Sequence, residues 1–304
     1  MEINRKQWNY LQRVNEKHTL SHAYLFAGSE GTGKLNMAID FACLVNDIKN
    51  KDIVRNKQHP DVIIVEPAVE EKNGKWRKKD ISIDQVKNVI KKASFYTYQS
   101  RYKVVIISEV ERLTNTAANS LLKFVEEPAK DIIICLISSN EDRVIATIRS
   151  RCQPIRFGLY DDDDIANFLK IRFPEKQQEE IKICTELSHG RVRFALRFCE
   201  SREVRINAGK NKQIFREALK GGILEGLALS EFLGNDRFAL LQAMDEWVWF
   251  LRGFLKENIK MGQDRSVTKK VHSIILSLVT LKACVENENV NSRIQMDNFF
   301  VQLS

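Results

Sequence analysis

Ala23-Tyr24-Leu25-Phe26 followed, one residue later, by Gly28-Ser29-Glu30-Gly31-Thr32-Gly33-Lys34-Leu35 is the stretch that decides the fold. An apolar strand, a glycine-rich turn and a helix start in that order form the frame of a phosphate-binding loop. The glycines let backbone N–H groups close around phosphate oxygens, the helix N-terminus adds positive potential, and Lys34 reaches the β and γ oxygens. Gly28, Gly31, Gly33 and Lys34 are therefore the candidate cofactor-binding residues. Position 35 departs from the pattern. A Ser or Thr there supplies the hydroxyl that binds Mg²⁺, and leucine has none. The junction points to phosphate-loop ancestry and leaves open whether nucleotide is still held.

A second half of such a site needs an apolar strand that ends in acidic residues. Residues 103–107 are that strand, and Ser108-Glu109-Val110-Glu111 follow it. An Asp at position 108 would help hold Mg²⁺; serine has no charge with which to do so. Glu109 stands where a water-activating carboxylate would lie, but without the metal it has little to act on. Both departures fall on the same ion, so neither ATP hydrolysis nor a bound metal is expected.

The rest of the first half alternates in the same way. Val62-Ile63-Ile64-Val65 and residues 132–137 are continuous apolar runs, as strands buried on both faces of a parallel sheet require. Helical patterns cover 36–45 and 83–93, the second opened by Ser82 and Gln85 at capping-box spacing. Asn73-Gly74 between charged flanks marks a hairpin tip. The pattern predicts an α/β domain with a parallel sheet over residues 1–158. Past Gly158 the strand signal fades. An acidic run at 161–164 suits the positive end of a helix dipole. A short helical domain is expected over 159–206, with polar residues 202–212 at its boundary, and an all-α domain over 207–304. There Trp247, Phe250, Leu251, Phe254 and Leu255 share one helix face, and Trp249 falls on the opposite one.

Composition sets the limits. The 304 residues include 48 Lys+Arg against 40 Asp+Glu, and 43% hydrophobic with 29% charged residues exclude wholesale disorder. The longest apolar runs fall far short of the ~20 residues that span a bilayer. The start has no apolar core of a secretory signal, so a soluble cytoplasmic protein is expected. Six cysteines without a C-x-x-C pair argue against a zinc cage and against a disulfide framework. A net charge of +8 suits nucleic acid and an ordinary solvated surface equally.

Five further segments occur in order: Ser21-His22-Ala23-Tyr24-Leu25-Phe26, His59-Pro60-Asp61, Ile81-Ser82-Ile83-Asp84-Gln85, Ala117-Ala118-Asn119-Ser120-Leu121-Leu122-Lys123 with Glu126-Glu127-Pro128, and Ser150-Arg151-Cys152. Together they resemble the clamp-loader subunits of bacterial DNA polymerase III, which belong to the AAA+ class, and most of all the delta-prime branch of that family. The likeness runs over nearly the whole chain. It implies an AAA+ α/β domain at 1–158, a helical lid at 159–206 and a helical collar at 207–304.

The resemblance also implies roles. Arg151 matches the arginine finger that is projected into the nucleotide site of a neighbouring motor subunit. Arg193 falls at the sensor-2 position of the lid, where an ordinary helix-face Arg is the competing reading. Ser138 and Ser139 fall at the sensor-1 strand end, positioning a water or merely capping a loop. The implied partners are motor (tau/gamma) and delta subunits, a sliding clamp, and primed DNA inside the ring, with no membrane. ATP or ADP would be bound, if at all, without hydrolysis. Many relatives carry a four-cysteine zinc module before the second strand; Cys43 stands alone there, so no zinc is expected. Lys72, Lys75, Arg77, Lys78 and Lys79 around the hairpin read first as a solvated face and second as phosphate contacts. An ATP-hydrolysing motor subunit and a stand-alone DNA-binding relative are the alternatives. Leu35 and Ser108 oppose the motor; Arg151 and the tail from Asn289-Val290-Asn291-Ser292-Arg293 to Leu303, which is similar to the end of the family's collar, oppose the stand-alone protein.

Overall fold

The computed structural model describes residues 4–72, 75–234, 236–262, 265–286 and 290–303. It divides into two compact units: residues up to Phe168 together with Gly190–Arg193, and Leu169–His189 together with Phe194–Ser304.

The first unit runs α1 (Arg5–Glu16), β1 (Ala23–Gly28), α2 (Lys34–Val45), α3 (Lys51–Arg55), β2 (Val62–Val65), β3 (Val69–Lys72), β4 (Lys75–Lys78), α4 (Ile83–Ala93), β5 (Lys103–Ile107), α5 (Asn115–Glu126), β6 (Ile132–Ser138), α6 (Ala146–Arg149) and β7 (Gln153–Phe157). Five strands form one parallel sheet in the order β2-β5-β6-β1-β7. Alternation along each strand feeds two cores. Leu25, Val105, Ile107, Ile134 and Leu136 pack with α4 and α5 on one face. Tyr24, Phe26, Ile106, Ile133 and Ile137 pack with α1 and α2 on the other. The four strands expected from apolar runs are all present. β7 went unread because it is a sheet edge: Gln153, Pro154 and Arg156 are exposed, and Pro is tolerated only where no ladder bond is needed.

α4 begins and ends where its periodicity and cap place it. The Ser82 side chain accepts from the Gln85 N–H, and the Gln85 side chain accepts from the Ser82 N–H. β3 and β4 pair antiparallel as a separate hairpin, while its expected tip, Asn73-Gly74, lies outside the described residues. Lys78 and Lys79 at its base pair with Glu109 and Glu70, and the side chains of Lys72, Lys75 and Arg77 lie outside the described residues.

From α7 (Asp162–Arg172) onward the described residues contain helices and no strand: α8 (Gln178–Ser188), α9 (Val192–Glu200), α10 (Arg202–Gly221), α11 (Ile223–Leu233), α12 (Arg237–Lys260), α13 (Arg265–Glu286) and α14 (Ser292–Leu303). The polar stretch 202–212, expected at a domain boundary, is the first half of α10. Ser201 caps it by accepting from the Val204 N–H, and its polar residues are a solvated helix face. The second unit's core is built around Trp247, stacked on Phe215 with ring centroids 4.4 Å apart. On α12, Trp247 and Leu251 are buried as expected, but Phe254 is exposed. The seam passes instead through Leu255 to buried Asn258, which lies one turn beyond Phe254. Trp249 is half-buried with the Arg252 guanidinium 5.2 Å over its ring. Five cysteines are buried and Cys284 is exposed. Among the described residues no helix is long and apolar enough to cross a membrane, and no three His, Cys, Asp or Glu side chains cluster as a metal site would.

Candidate functional site

β1 lies between β6 and β7, so the loop after it leaves the sheet where the strand order reverses, the usual place for a ligand in an open parallel sheet. Gly28, Gly31 and Gly33 have φ of 147°, 82° and 90°, which side chains with a Cβ rarely adopt. A Cβ on Gly28 would also stand 2.2 Å from the Phe157 carbonyl oxygen. Gly28→Ala is thus expected to cost about 3 kcal/mol or more. It should lower the urea midpoint with little change of slope; an unchanged midpoint would refute the assignment.

The loop is clasped from three sides. The Asn4 side-chain amide donates to the Thr32 carbonyl at 3.0 Å, the Tyr160 hydroxyl donates to the same oxygen at 3.3 Å, and the Arg193 N–H donates to the Gly31 carbonyl at 2.9 Å. The segment around Arg193 therefore meets the loop through its backbone, while the Arg193 side chain is exposed and its neighbour Arg191 is buried. Lys34 is buried, and its Nζ donates to the Gly28 and Ser29 carbonyls at 2.5 and 2.7 Å. Burial pulls its pKa down to about 8, and the charges of Glu111, Glu30 and Glu109 act in the opposite direction. An anion brought to this loop would meet a lysine whose charge it favours, so the cradle fits phosphate.

The metal half does not fit. Leu35 packs against the apolar core below the loop. Ser108 is buried at the end of β5, its N–H donating to the Val65 carbonyl. Glu109, with φ of 56°, is held by two cations: Lys78 Nζ at 2.5 Å and Arg112 Nε at 3.1 Å. A carboxylate so engaged is a poor base for water. The Ser138 hydroxyl accepts from the Asn140 N–H and caps the loop after β6, whereas the Ser139 N–H donates to Glu111 Oε1.

Arg151 follows α6 on the surface of the first unit. Its guanidinium donates to the Thr147 carbonyl at 3.0 Å and pairs with Glu126 Oε1 at 2.7 Å. Glu126 closes α5, the Leu-Leu-Lys…Glu-Glu-Pro helix, so two segments singled out in the sequence meet at one ion pair. Sequence reading did not join them, because nothing in either segment specifies the other's position.

The family model described as "DNA polymerase III, delta subunit" matches residues 3–160. DNA polymerase III subunit delta' of Bacillus subtilis is 38% identical over 175 residues, covering 52% of this chain and 50% of the relative. The protein of the same name from Haemophilus influenzae is 28% identical over 215 residues, covering 71% and 62%. The chain thus spans about half the length of the first of these relatives. A DNA polymerase III, gamma subunit-related protein from Thermotoga maritima shares the fold, with a TM-score of 0.52, 19% identity and 98% of each chain covered.

Proposed function

The chain belongs to the DNA polymerase III delta subunit family, and from that premise we propose that it is the non-hydrolysing, delta-prime-type subunit of a cytoplasmic clamp loader. One observation carries the reading. A loop with the glycine conformations and the buried lysine of a phosphate cradle stands beside Leu35, which lacks the hydroxyl, and Ser108, which lacks the carboxylate, that would hold the Mg²⁺ hydrolysis needs. ATP or ADP can be held by Gly28, Gly31, Gly33 and Lys34, with Arg193 at the lid side, and is not turned over. The subunit's contribution is then structural and in trans. Residues 159–206 act as lid, 207–304 as collar, and Arg151 is offered to the nucleotide site of a neighbouring motor (tau/gamma) subunit. The ring so formed, completed by a delta subunit, loads a sliding clamp onto primed DNA.

The test combines turnover with assembly. Phosphate release by the purified chain should equal background with and without Mg²⁺ and primed DNA, and the chain should co-purify with motor and delta subunits of the same genome. Turnover that Lys34→Ala abolishes would overturn the reading in favour of a motor subunit. Failure to join the motor and delta subunits would overturn it in favour of a stand-alone protein.

A further inference from the structure

Cys184 on α8 and Cys199 on α9 are both buried in the second unit, and their thiols hydrogen-bond to each other. A third helix completes the arrangement. One guanidinium nitrogen of Arg205 on α10, Nη1, lies 3.7 Å from Cys184 Sγ, 2.7 Å from the Phe198 carbonyl oxygen and 2.8 Å from Glu180 Oε1. Lys176 Nζ pairs with the same Glu180 oxygen at 2.8 Å. Two thiols thus share a buried corner with two cations and one carboxylate, and none of these groups has a part in the nucleotide site.

A buried cysteine ordinarily serves as a small apolar side chain. Cys43, Cys135 and Cys152 fit that description, since burial pushes their thiols up and disfavours the reactive thiolate. Cys184 goes the other way. The hydrogen bond from Cys199, and after it the Arg205 guanidinium, hold its thiol below the ordinary value against burial and the charge of Glu180. The Cys199 thiol, which gives that hydrogen bond, is pushed up. A sulfur that favours the thiolate beside one that keeps its proton is the pairing of an attacking with a resolving cysteine.

We propose that Cys184 and Cys199 are a reversible oxidation site, closed to a disulfide by hydrogen peroxide, an oxidant small enough to reach buried sulfur through local opening of the helices. The Cys184 thiolate attacks one peroxide oxygen: an S–O bond forms, the O–O bond breaks, and the departing hydroxide takes up a proton to become water. Cys184 is then a sulfenic acid. Cys199 releases its proton and attacks the Cys184 sulfur; the S–S bond forms, the S–O bond breaks, and the second oxygen leaves as water. Two thiols have given up two electrons and the peroxide has taken them. A dithiol reverses the change by exchange. In a reducing compartment the bond is transient, which suits a sensor and not a brace. It ties α8 to α9 across the segment Gly190–Arg193, where the Arg193 N–H donates to the Gly31 carbonyl of the phosphate loop. The proposal stands independently of the clamp-loader reading.

The test exposes the folded full chain to millimolar hydrogen peroxide, blocks the remaining thiols in denaturant and maps every cysteine by mass spectrometry. A peptide linked through Cys184 and Cys199 should form and disappear on treatment with dithiothreitol. It should form about tenfold or more faster than Cys43, Cys135 or Cys152 is oxidised, although all are buried. Loss of the Cys184 thiol should speed up by less than about threefold from pH 7 to pH 9, where an ordinary thiol gains more than about tenfold. Cys199→Ser should stop at a Cys184 sulfenic acid that dimedone captures, and Cys184→Ser should leave Cys199 reduced. A wild-type chain that forms no such link, or forms it only after urea has unfolded it, would reduce both cysteines to core packing. A link from Cys184 to exposed Cys284 would overturn the pairing, and a rate with the pH dependence of an ordinary thiol would overturn Cys184 as the attacking sulfur.

Discussion

Asp61→Asn should lower the melting temperature by about 10 °C at neutral pH. Asp61 and Lys103 form a buried ion pair, and three backbone N–H groups end on the same carboxylate. Removing one charge leaves the other buried and uncompensated, which costs ~3–5 kcal/mol, and a domain of 150–250 residues loses about 2–4 °C per kcal/mol. Acid should reproduce part of the effect. Burial pushes the Asp61 carboxyl up, but the N–H groups of Gln99 and Tyr98 and the Lys103 ammonium outweigh it and hold the pKa at about 2, against 3.8 ordinarily. The folded chain therefore binds fewer protons than the unfolded one between those values. Asp61's stabilisation is complete above about pH 5 and lost as pH falls from about 4 through 2. The gap in melting temperature between Asp61→Asn and wild type should accordingly be widest at pH 7 and narrow at pH 3. A variant melting within 2 °C of wild type at pH 7 would mean that the loop between α4 and β5, which carries those N–H groups, does not depend on this pair.

That pair also marks the limit of what could be read from the chain. Strands buried on both faces announce themselves as apolar runs, and α4 announces itself by a cap and a period, because those signals are local. The phosphate loop is equally local: glycines, lysine and helix start lie within seven residues. Asp61 and Lys103 are separated by 42 positions, and their union depends on β2 pairing with β5. Glu126 and Arg151 likewise meet only once α5 and α6 have packed. The one local hint at Asp61 is a lysine opening an otherwise apolar strand, which needs a buried anion at that depth. Helix α10 was legible only as a polar stretch at a boundary. That its residues 202–212 open a helix shows only with Phe215 and Ala218, buried further along on its apolar face.

Arg151→Ala should leave the isolated chain's melting temperature within about 2 °C, because a half-exposed ion pair contributes no more than ~1 kcal/mol. If Arg151 is the finger proposed above, its guanidinium meets developing charge on the transferred phosphoryl group through two donors, and loss of such a group in trans costs ~10³–10⁵ in rate at the site it serves. A ring in which only that site is competent should lose at least about 10³ of its turnover with Arg151→Ala, with assembly unchanged. Arg151→Lys should not restore it, since an ammonium is a point charge without the planar pair of donors. Glu126→Gln separates positioning from catalysis. It removes the negative partner at 2.7 Å and leaves the guanidinium in place on the Thr147 carbonyl. If Glu126 holds Arg151 ready for the neighbour, turnover falls by a smaller factor and the melting temperature does not move. If the pair instead parks the guanidinium away from the neighbour, turnover rises. Full turnover with Arg151→Ala would reduce residue 151 to a surface arginine, and the subunit's place in the ring would then rest on the lid and collar alone.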